Sequence, residues 1–189
     1  NVVDHAQLAT EGQSMYSSLN QGQKQAVNEI LIALRVAHSG YFFIDGPGGS
    51  GKTYLYNTLY NIAVGEKRRV ICVAWTGIAA NLLPRGRTVN STFKLNIRDQ
   101  NRSSTMKFQI KEAKELAEVD MIIWDEISMV PKEAFSAVDN LLRDILDEPN
   151  KPFGGIIVVV GGDFRQTQPI VERGSPADII EACVSRSDL

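Results

Sequence analysis

Cysteine and histidine are scarce in this sequence. Its 189 residues include two cysteines, Cys72 and Cys183, and two histidines, His5 and His38. These four residues are widely spaced, unlike the paired cysteines of small disulfide-rich proteins or the clustered ligands of zinc modules. The sequence therefore argues against a disulfide scaffold and against a zinc-binding module.

Long apolar runs are lacking as well. The longest, such as residues 156–160, fall far short of the roughly 20 residues that span a bilayer as a helix. No N-terminal stretch combines basic residues, an apolar core and a small-residue cleavage site. We expect an intracellular protein with no membrane partner, and the nucleus, the mitochondrion and the bacterial cytoplasm all suit it.

Neither sign of charge is in excess, because the formal net charge is −2 and the pI is near 5.7. A chain that is not a polycation contacts nucleic acid through a local surface rather than through its bulk charge. With 43% hydrophobic and 22% charged residues, the composition is that of an ordinary globular protein. The length is ample for one packed domain and short for two.

Four short apolar runs predict buried strands. They are nearly continuously apolar, as strands covered on both faces of a parallel sheet must be. Segments with helical spacing of apolar residues lie between them, the first capped by Asn20 and the last opening near Pro131. We therefore predict an α/β fold, with a parallel sheet and helices on both faces. The predicted strands are residues 41–45, 69–75, 121–125 and 156–161.

A phosphate-binding loop follows the first predicted strand. Its glycines let the backbone wrap around phosphates, and the helix after it places a positive dipole end on the same anion. Lys52 is the cation expected at the β and γ phosphates, the Thr53 hydroxyl is expected to ligate Mg²⁺, and Tyr54 is counted among the nucleotide contacts. The sequence thus predicts ATP and Mg²⁺ as the bound groups. The loop reads Gly46, Pro47, Gly48, Gly49, Ser50, Gly51, Lys52 and Thr53.

Two adjacent carboxylates, Asp125 and Glu126, end the third predicted strand. Alone, such a pair is more typical of a solvated acidic turn, because paired acids at strand ends are common. After a phosphate loop in an α/β chain, Asp125 is expected to hold Mg²⁺, and Glu126 to orient and deprotonate the water that attacks the γ-phosphate. The pair favours a hydrolysing ATPase over a small-molecule kinase, which needs no activated water.

Together these motifs resemble the Pif-type DNA helicases, the petite-integration-frequency branch of superfamily one, and the related domains of helitron transposons. The resemblance runs from about Leu19 to the C-terminus, and its last two motifs are the most discriminating. The motifs, in order after the phosphate loop, are residues 75–80, 87–93, 125–129 and 161–166.

The resemblance implies a RecA-like P-loop NTPase domain at residues 19–189, after an N-terminal extension at residues 1–18. It implies the motor half of a monomeric, ATP-dependent 5′-to-3′ DNA helicase acting on single-stranded or forked DNA, with roles in telomere maintenance, repair and recombination. A small wedge insertion would fall near residues 96–107. The second RecA-like domain, which carries the arginine finger, is expected to lie outside this chain, so the chain alone should bind Mg·ATP but hydrolyse it slowly.

Two glutamines receive nucleotide-sensing roles from the resemblance. Gln23 stands at the end of a segment like the family's Q motif, where it would hydrogen-bond the adenine edge. A glutamine at a helix start is otherwise simply hydrated. Gln166 stands in the last motif, where it would sense the γ-phosphate as a neutral hydrogen-bonding group.

The first DNA-binding motif of the family resembles residues 76–93. The small residues Thr76 and Gly77 would let a phosphodiester backbone approach closely, and Ser91 would donate a hydroxyl to it. Phe93 either stacks on a base or packs in the core. Asn90 stands where the family usually has histidine; the residues predicted to bind DNA are Thr76, Gly77, Asn90, Ser91 and Phe93.

Two other functions fit parts of the sequence. One is a P-loop ATPase or nucleotide switch that is not a helicase, whose turnover would be indifferent to DNA. The other is a catalytically idle DNA-binding fragment, against which the intact catalytic residues count. Turnover with and without DNA separates the three.

Overall fold

The computed structural model describes residues 3–37, 39–96, 103–107 and 111–163. Two short 3₁₀ turns, Ile127–Met129 and Pro152–Gly155, and a π-helical turn, Ala33–Ala37, accompany the strands and helices. The strands are β1 (Gly40–Asp45), β2 (Val70–Ala74), β3 (Arg87–Thr88), β4 (Met121–Asp125) and β5 (Ile157–Gly162). The helices are α1 (His5–Ser17), α2 (Gln21–Ile32), α3 (Lys52–Gly65), α4 (Gly77–Ala80), α5 (Val89–Phe93), α6 (Lys111–Ala117) and α7 (Lys132–Leu146).

All five strands pair in parallel, in the order β1-β5-β4-β2-β3. The four strands predicted from apolar runs are present, each within a residue or so of the expected bounds. The fifth, β3, is two residues long and carries no apolar run, which is why the sequence did not reveal it. Because the strands are parallel, their carboxyl ends share one edge of the sheet.

The sheet separates two hydrophobic cores, which confirms the predicted α/β layers. In β4, Ile122 and Trp124 face the core beneath α5, α6 and α7, whereas Met121 and Ile123 face the core beneath α2 and α3. Such alternation follows from the two-residue period of a strand. All four side chains are fully buried, so β4 lies in the middle of the molecule.

The helix boundaries follow local signals closely. Asn20 caps α2, since its side chain accepts a hydrogen bond from the Gln23 amide while the Gln23 side chain accepts one from the Asn20 amide. Pro131 directly precedes α7 instead of standing in its first turn. In α6 the buried face is formed by Ala113 and Leu116.

The prediction that the first strand is covered on both faces is wrong for the part of the chain described. Residues along β1 alternate between partial burial and exposure, and Tyr41 and Phe43 are 50% and 46% exposed. The reason is that β1 is an edge strand of the described sheet. It pairs with β5 on one side, and no described strand pairs with its other side. Tyr41 still stacks on Phe153 at a centroid distance of 5.9 Å.

Residues 5–17, which lie in the predicted N-terminal extension, form α1 and pack directly on α3. The approach is close: a methyl group on Gly12 would lie 2.8 Å from both the side chain and the backbone nitrogen of Ile62. A methyl on Gly65 would lie 2.7 Å from Ala9 Cα. The two helices therefore touch through glycine at two points.

The described residues on either side of residues 97–102 lie next to each other. Leu95 and Ser104 form an isolated antiparallel bridge, and the Thr105 amide donates to the Lys94 carbonyl at 2.9 Å. Residues 97–102 lie outside the described part of the chain, so a wedge there stays a prediction. No helix among the described residues is long and apolar enough to cross a membrane.

We predict that Gly12→Ala lowers the free energy of unfolding by about 1–3 kcal/mol, the usual cost of overpacking a tight contact. The measurement is urea denaturation. The control is Gly22→Ala in α2, where the nearest atom to the new methyl would be 3.6 Å away. This control should be neutral or stabilising, as alanine usually is in a helix. Equal stabilisation by both changes would contradict the close contact of α1 with α3.

Candidate active site

The phosphate loop joins β1 to α3 at the carboxyl edge of the sheet. Gly49 and Gly51 take positive φ angles of 77° and 85°, a region that glycine enters without steric cost. Gly51 precedes the first turn of α3, whose 14 residues place a positive dipole end at the loop. The loop and helix thus have the backbone geometry that an anion site needs, and binding of phosphate by these residues stays a prediction.

Lys52 lies folded over the phosphate loop. Its Nζ donates to the carbonyls of Gly46 and Pro47, the latter at 3.0 Å. These carbonyls are weaker partners for an ammonium group than phosphate oxygens are. The side chain is therefore positioned to exchange loop carbonyls for a bound polyphosphate.

Asp125 ends β4 in a partly buried position. Its Oδ1 accepts hydrogen bonds from the Glu126 amide at 2.9 Å and from the Tyr56 hydroxyl at 3.4 Å. Burial raises the pKa of the Asp125 carboxyl, and the Glu126 amide and the Lys52 charge offset part of that rise. A cation beside Asp125 would relieve the cost of its charge, as a metal ion does.

Tyr56 lies on the buried side of α3 and contacts Asp125. No role was assigned to it from the sequence. Burial, and then the Asp125 charge, raise the pKa of this phenol, so it remains a neutral donor. A methyl on Gly161 would lie 1.5 Å from the Tyr56 hydroxyl. Glycine at 161 is therefore required by the tyrosine, a pairing that no local pattern reveals.

Glu126 takes a left-handed backbone conformation, with φ 58° and ψ 34°. Its Oε2 accepts hydrogen bonds from the Thr76 hydroxyl at 2.8 Å and from the Thr76 amide at 3.2 Å. The adjacent carboxylates consequently point to different partners: Asp125 to Tyr56, and Glu126 to Thr76.

The phosphate loop and both carboxylates line one open cavity of about 560 Å³. The cavity brings them together with the carboxyl end of β5, although their positions span more than a hundred residues of chain. Sequence reasoning assigned no role to Ser128, Met129, Gly162 or Asp163, and the ends of neighbouring parallel strands were the signal that could have found them. The lining residues are Gly48, Gly49, Gly51, Lys52, Thr53, Asp125, Glu126, Ser128, Met129, Gly162 and Asp163.

Gln23 sits beside the phosphate loop. Its Nε2 donates to the Ser50 carbonyl at 3.3 Å, and its Oε1 completes the cap of α2. The nitrogen of this side-chain amide is thus engaged at the phosphate loop and its oxygen at the cap of α2, and contact with an adenine edge stays a prediction. Tyr54 is 40% exposed, and its hydroxyl donates to the Met15 carbonyl at 3.4 Å.

The residues predicted to bind DNA separate into exposed and buried sets. Gly77 and Ser91 are exposed. A methyl on Gly77 would meet nothing within 4 Å, so packing does not require glycine there. Ile78, beside Gly77 in α4, is 82% exposed, and Leu82, just after that helix, is 62% exposed. Neither residue was singled out from the sequence.

Phe93 must be corrected, because it is fully buried. Its ring stacks on Trp124 at a centroid distance of 6.2 Å, so it packs in the core and cannot stack on a base in this conformation. Apolar burial outweighed the other role that the sequence left open. Asn90 is partly buried, and no described group donates a hydrogen bond to its buried Oδ1. Gln166 lies outside the described residues.

The fold and the cavity define a P-loop nucleotide-binding domain of the α/β class, with a carboxylate pair that lines the same cavity as the phosphate loop. Comparison with known proteins identifies the family within this class. The chain matches the family model described as PIF1-like helicase over residues 18–189. The chain therefore belongs to the PIF1-like helicase family.

Individual relatives agree with this assignment. The chain is 34% identical over 181 residues to the ATP-dependent DNA helicase PIF5 of Trypanosoma brucei brucei, covering 90% of this chain and 19% of the relative. It is 37% identical over 135 residues to the ATP-dependent DNA helicase Pif1 of a Psychrobacter species, covering 70% and 20%. The chain thus spans about a fifth of the length of these relatives.

A solved structure shares the fold. It is the crystal structure of Bacteroides Pif1 bound to single-stranded DNA, with a TM-score of 0.63 and 28% identity, covering 77% of this chain and 33% of that one. The predicted family and fold class are therefore confirmed.

We predict that Asp125→Asn raises the melting temperature without nucleotide by about 2–4 °C, the shift that roughly 1 kcal/mol produces at this size. The variant keeps the shape and removes a charge that burial disfavours. A raised folded-state pKa makes the ionised carboxyl costly at neutral pH. That cost disappears as the pH falls through the folded pKa toward the ordinary value of about 3.9.

Calorimetry at pH 7 and pH 5 measures this gain, which should shrink at the lower pH. The exposed Asp144→Asn is the matched control and should change little. A lower melting temperature for Asp125→Asn at pH 7 would show that its hydrogen bonds outweigh its desolvation.

We also predict that Gly161→Ala lowers the free energy of unfolding by about 2 kcal/mol or more, because the new methyl overlaps the Tyr56 hydroxyl. In a Tyr56→Phe background the loss should be smaller, since the nearest remaining ring atom would be 2.8 Å away. Chemical denaturation of all four proteins in the cycle measures this coupling. Additive effects would mean that Tyr56 is not what requires the glycine.

Proposed function

We propose that this chain is the ATP-binding motor domain of an ATP-dependent 5′-to-3′ DNA helicase, which couples Mg·ATP hydrolysis to movement along single-stranded DNA. The observation that carries this proposal is the single cavity that holds Lys52, Thr53, Asp125 and Glu126. Its chain belongs to a helicase family, and the relatives above are named ATP-dependent DNA helicases. An intracellular place of action follows from a DNA substrate.

The phosphate loop would bind the triphosphate. Backbone amides between Gly48 and Thr53 and the N-terminal end of α3 attract the anion, and Lys52 would move from the Gly46 and Pro47 carbonyls to the phosphate oxygens. Because the loop amides and the backbone of Lys52 are both held at the start of α3, the phosphates would be held in one orientation.

Mg²⁺ suits the oxygen donors at this cavity. Thr53 supplies a hydroxyl and Asp125 a carboxylate, and Mg²⁺ is usually held by one or two carboxylates plus substrate phosphates. In the described parts of the chain no group of three or more His, Cys, Asp and Glu side chains could hold a metal by itself. A site that needs the nucleotide to complete it fits that finding. When bound, the ion would neutralise charge on the phosphates.

Glu126 is the candidate general base. It lines the same cavity as Lys52 and Thr53, one residue beyond Asp125, and its carboxylate could accept the proton of the attacking water. Gln166 remains the proposed γ-phosphate sensor by resemblance.

The DNA-binding surface is proposed on the exposed side of residues 76–91. Gly77 lies open and Ser91 is exposed there, and Arg85 and Arg87 add exposed positive charge. The solved Bacteroides relative is described as bound to single-stranded DNA, which supports the same class of ligand here. We propose single-stranded or forked DNA as the partner, a monomer as the working state, and a second RecA-like domain as the source of the arginine finger.

The test is ATP turnover with and without single-stranded DNA, with Lys52→Ala as the blank. In the intact helicase, we expect DNA to raise turnover and Glu126→Gln to lower it by about 100-fold or more, the usual contribution of a general base. Nucleotide binding should survive in Glu126→Gln, because the phosphate loop is unchanged. This chain alone should bind Mg·ATP and turn it over slowly, since an arginine finger contributes roughly 10³–10⁵ in related enzymes.

Other outcomes would point elsewhere. Turnover that depends on Lys52 but ignores DNA would indicate an ATPase that is not a helicase. Full turnover in Glu126→Gln would remove that residue from the base role. Failure of the chain to bind nucleotide would overturn the proposal as a whole.

A further inference from the structure

Thr76 makes a contact that its predicted role in DNA binding does not explain. Its hydroxyl donates to Glu126 Oε2 at 2.8 Å, and its backbone amide donates to the same oxygen at 3.2 Å. The two residues are 50 positions apart in the chain. Hydrogen bonds to a carboxylate are about twice as strong as those between neutral groups.

The sheet brings these residues together. Ala74 lies opposite Asp125 in the parallel pairing of β2 with β4. Thr76 is two residues beyond Ala74 and Glu126 is one residue beyond Asp125, so both leave the sheet at the same edge. The left-handed conformation of Glu126 then turns its side chain toward β2 rather than along β4.

The one proton that the Thr76 hydroxyl can donate is already used in this arrangement. This proton goes to Glu126, and the hydroxyl oxygen accepts a hydrogen bond from the Ala79 amide at 3.2 Å, which caps α4. A hydroxyl has one proton to donate. To donate to a phosphate of DNA, Thr76 would have to release Glu126.

We propose that Thr76 is a positioning residue for Glu126: it holds the carboxylate at the mouth of the cavity in the orientation that hydrolysis needs. This inference rests on the proposed role of Glu126 as general base. Thr76 touches neither the water nor the phosphates; it fixes the group that does, as the third member of a base-orienting arrangement commonly does. It also connects the segment proposed to face DNA with the ATP site.

The test is Thr76→Val in the intact helicase, with ATP turnover measured at saturating single-stranded DNA. Valine keeps the branched shape and loses the hydroxyl, while the amide bond to Glu126 remains. We expect kcat to fall by about 10-fold to 100-fold, the effect of misplacing a catalytic group by about 1 Å. KM for ATP and the Kd for single-stranded DNA should each change less than about twofold, because only an interaction needed in the transition state is lost.

Two further variants separate positioning from folding. Thr76→Ser keeps the hydroxyl and should retain near wild-type kcat. Thr10→Val is the matched control, because the Thr10 hydroxyl donates to the Ala6 carbonyl at 3.0 Å within α1, outside both the cavity and the segment proposed to face DNA. It should leave kcat unchanged, although it makes the same exchange of a hydroxyl for a methyl group.

Three results would overturn the inference: an unchanged kcat with weaker DNA binding in Thr76→Val, an equal loss of kcat in Thr10→Val, or no recovery in Thr76→Ser. These outcomes differ from failure of the proposed function. If Lys52→Ala and Glu126→Gln abolish turnover while Thr76→Val does not, the function stands and the inference falls. If Glu126→Gln leaves turnover intact, the base assignment fails first.

Discussion

The parallel pairing of β4 between β2 and β5 is the constraint on which the rest of the structure depends. It places Asp125 opposite Ala74 and Trp124 opposite Val160, so three strands reach the same edge. The phosphate loop, Thr76 and the two carboxylates all follow strands at that edge of the sheet. A slip of one residue in this register would exchange the two faces of β4. The side chains of one hydrophobic core would then face the other, so burial itself holds the two carboxylates in place.

Helix α3 fixes the position of the phosphate loop relative to the sheet. Tyr56 fills the space that Gly161 leaves on β5 and donates to Asp125, which fastens the helix to the sheet beside the site. On its other side α3 supports α1, through the contact of Gly12 with Ile62. Lys52 and Thr53 stand in the first turn of this helix. Their distance from Asp125 is thus set by packing on both flanks of α3 rather than by the loop alone.

Much of the fold was predictable because its signals are local. An apolar run long enough for a buried strand, an Asn20 cap and a glycine-rich phosphate loop each act over a few residues, and each was found where expected. Predictions failed where the burial of a side chain depends on residues that are distant in the chain. Tyr41 is apolar enough for a covered strand, yet β1 is the edge of the described sheet. Phe93 suits both a base and a core, and the aromatic ring of Trp124 beside it selected the core.

The sequence by itself determined the class of chemistry: a phosphate loop, an acidic pair and the motifs that resemble one helicase family. Only the tertiary structure decided which partner each side chain has. Glu126 bonds to Thr76 and Asp125 bonds to Tyr56, across 50 and 69 positions of chain. The physical reason is that a residue's type sets what it can donate, accept or bury, whereas the partner depends on which strands pair. That pairing is a property of the whole sheet, and no short stretch of the chain contains it.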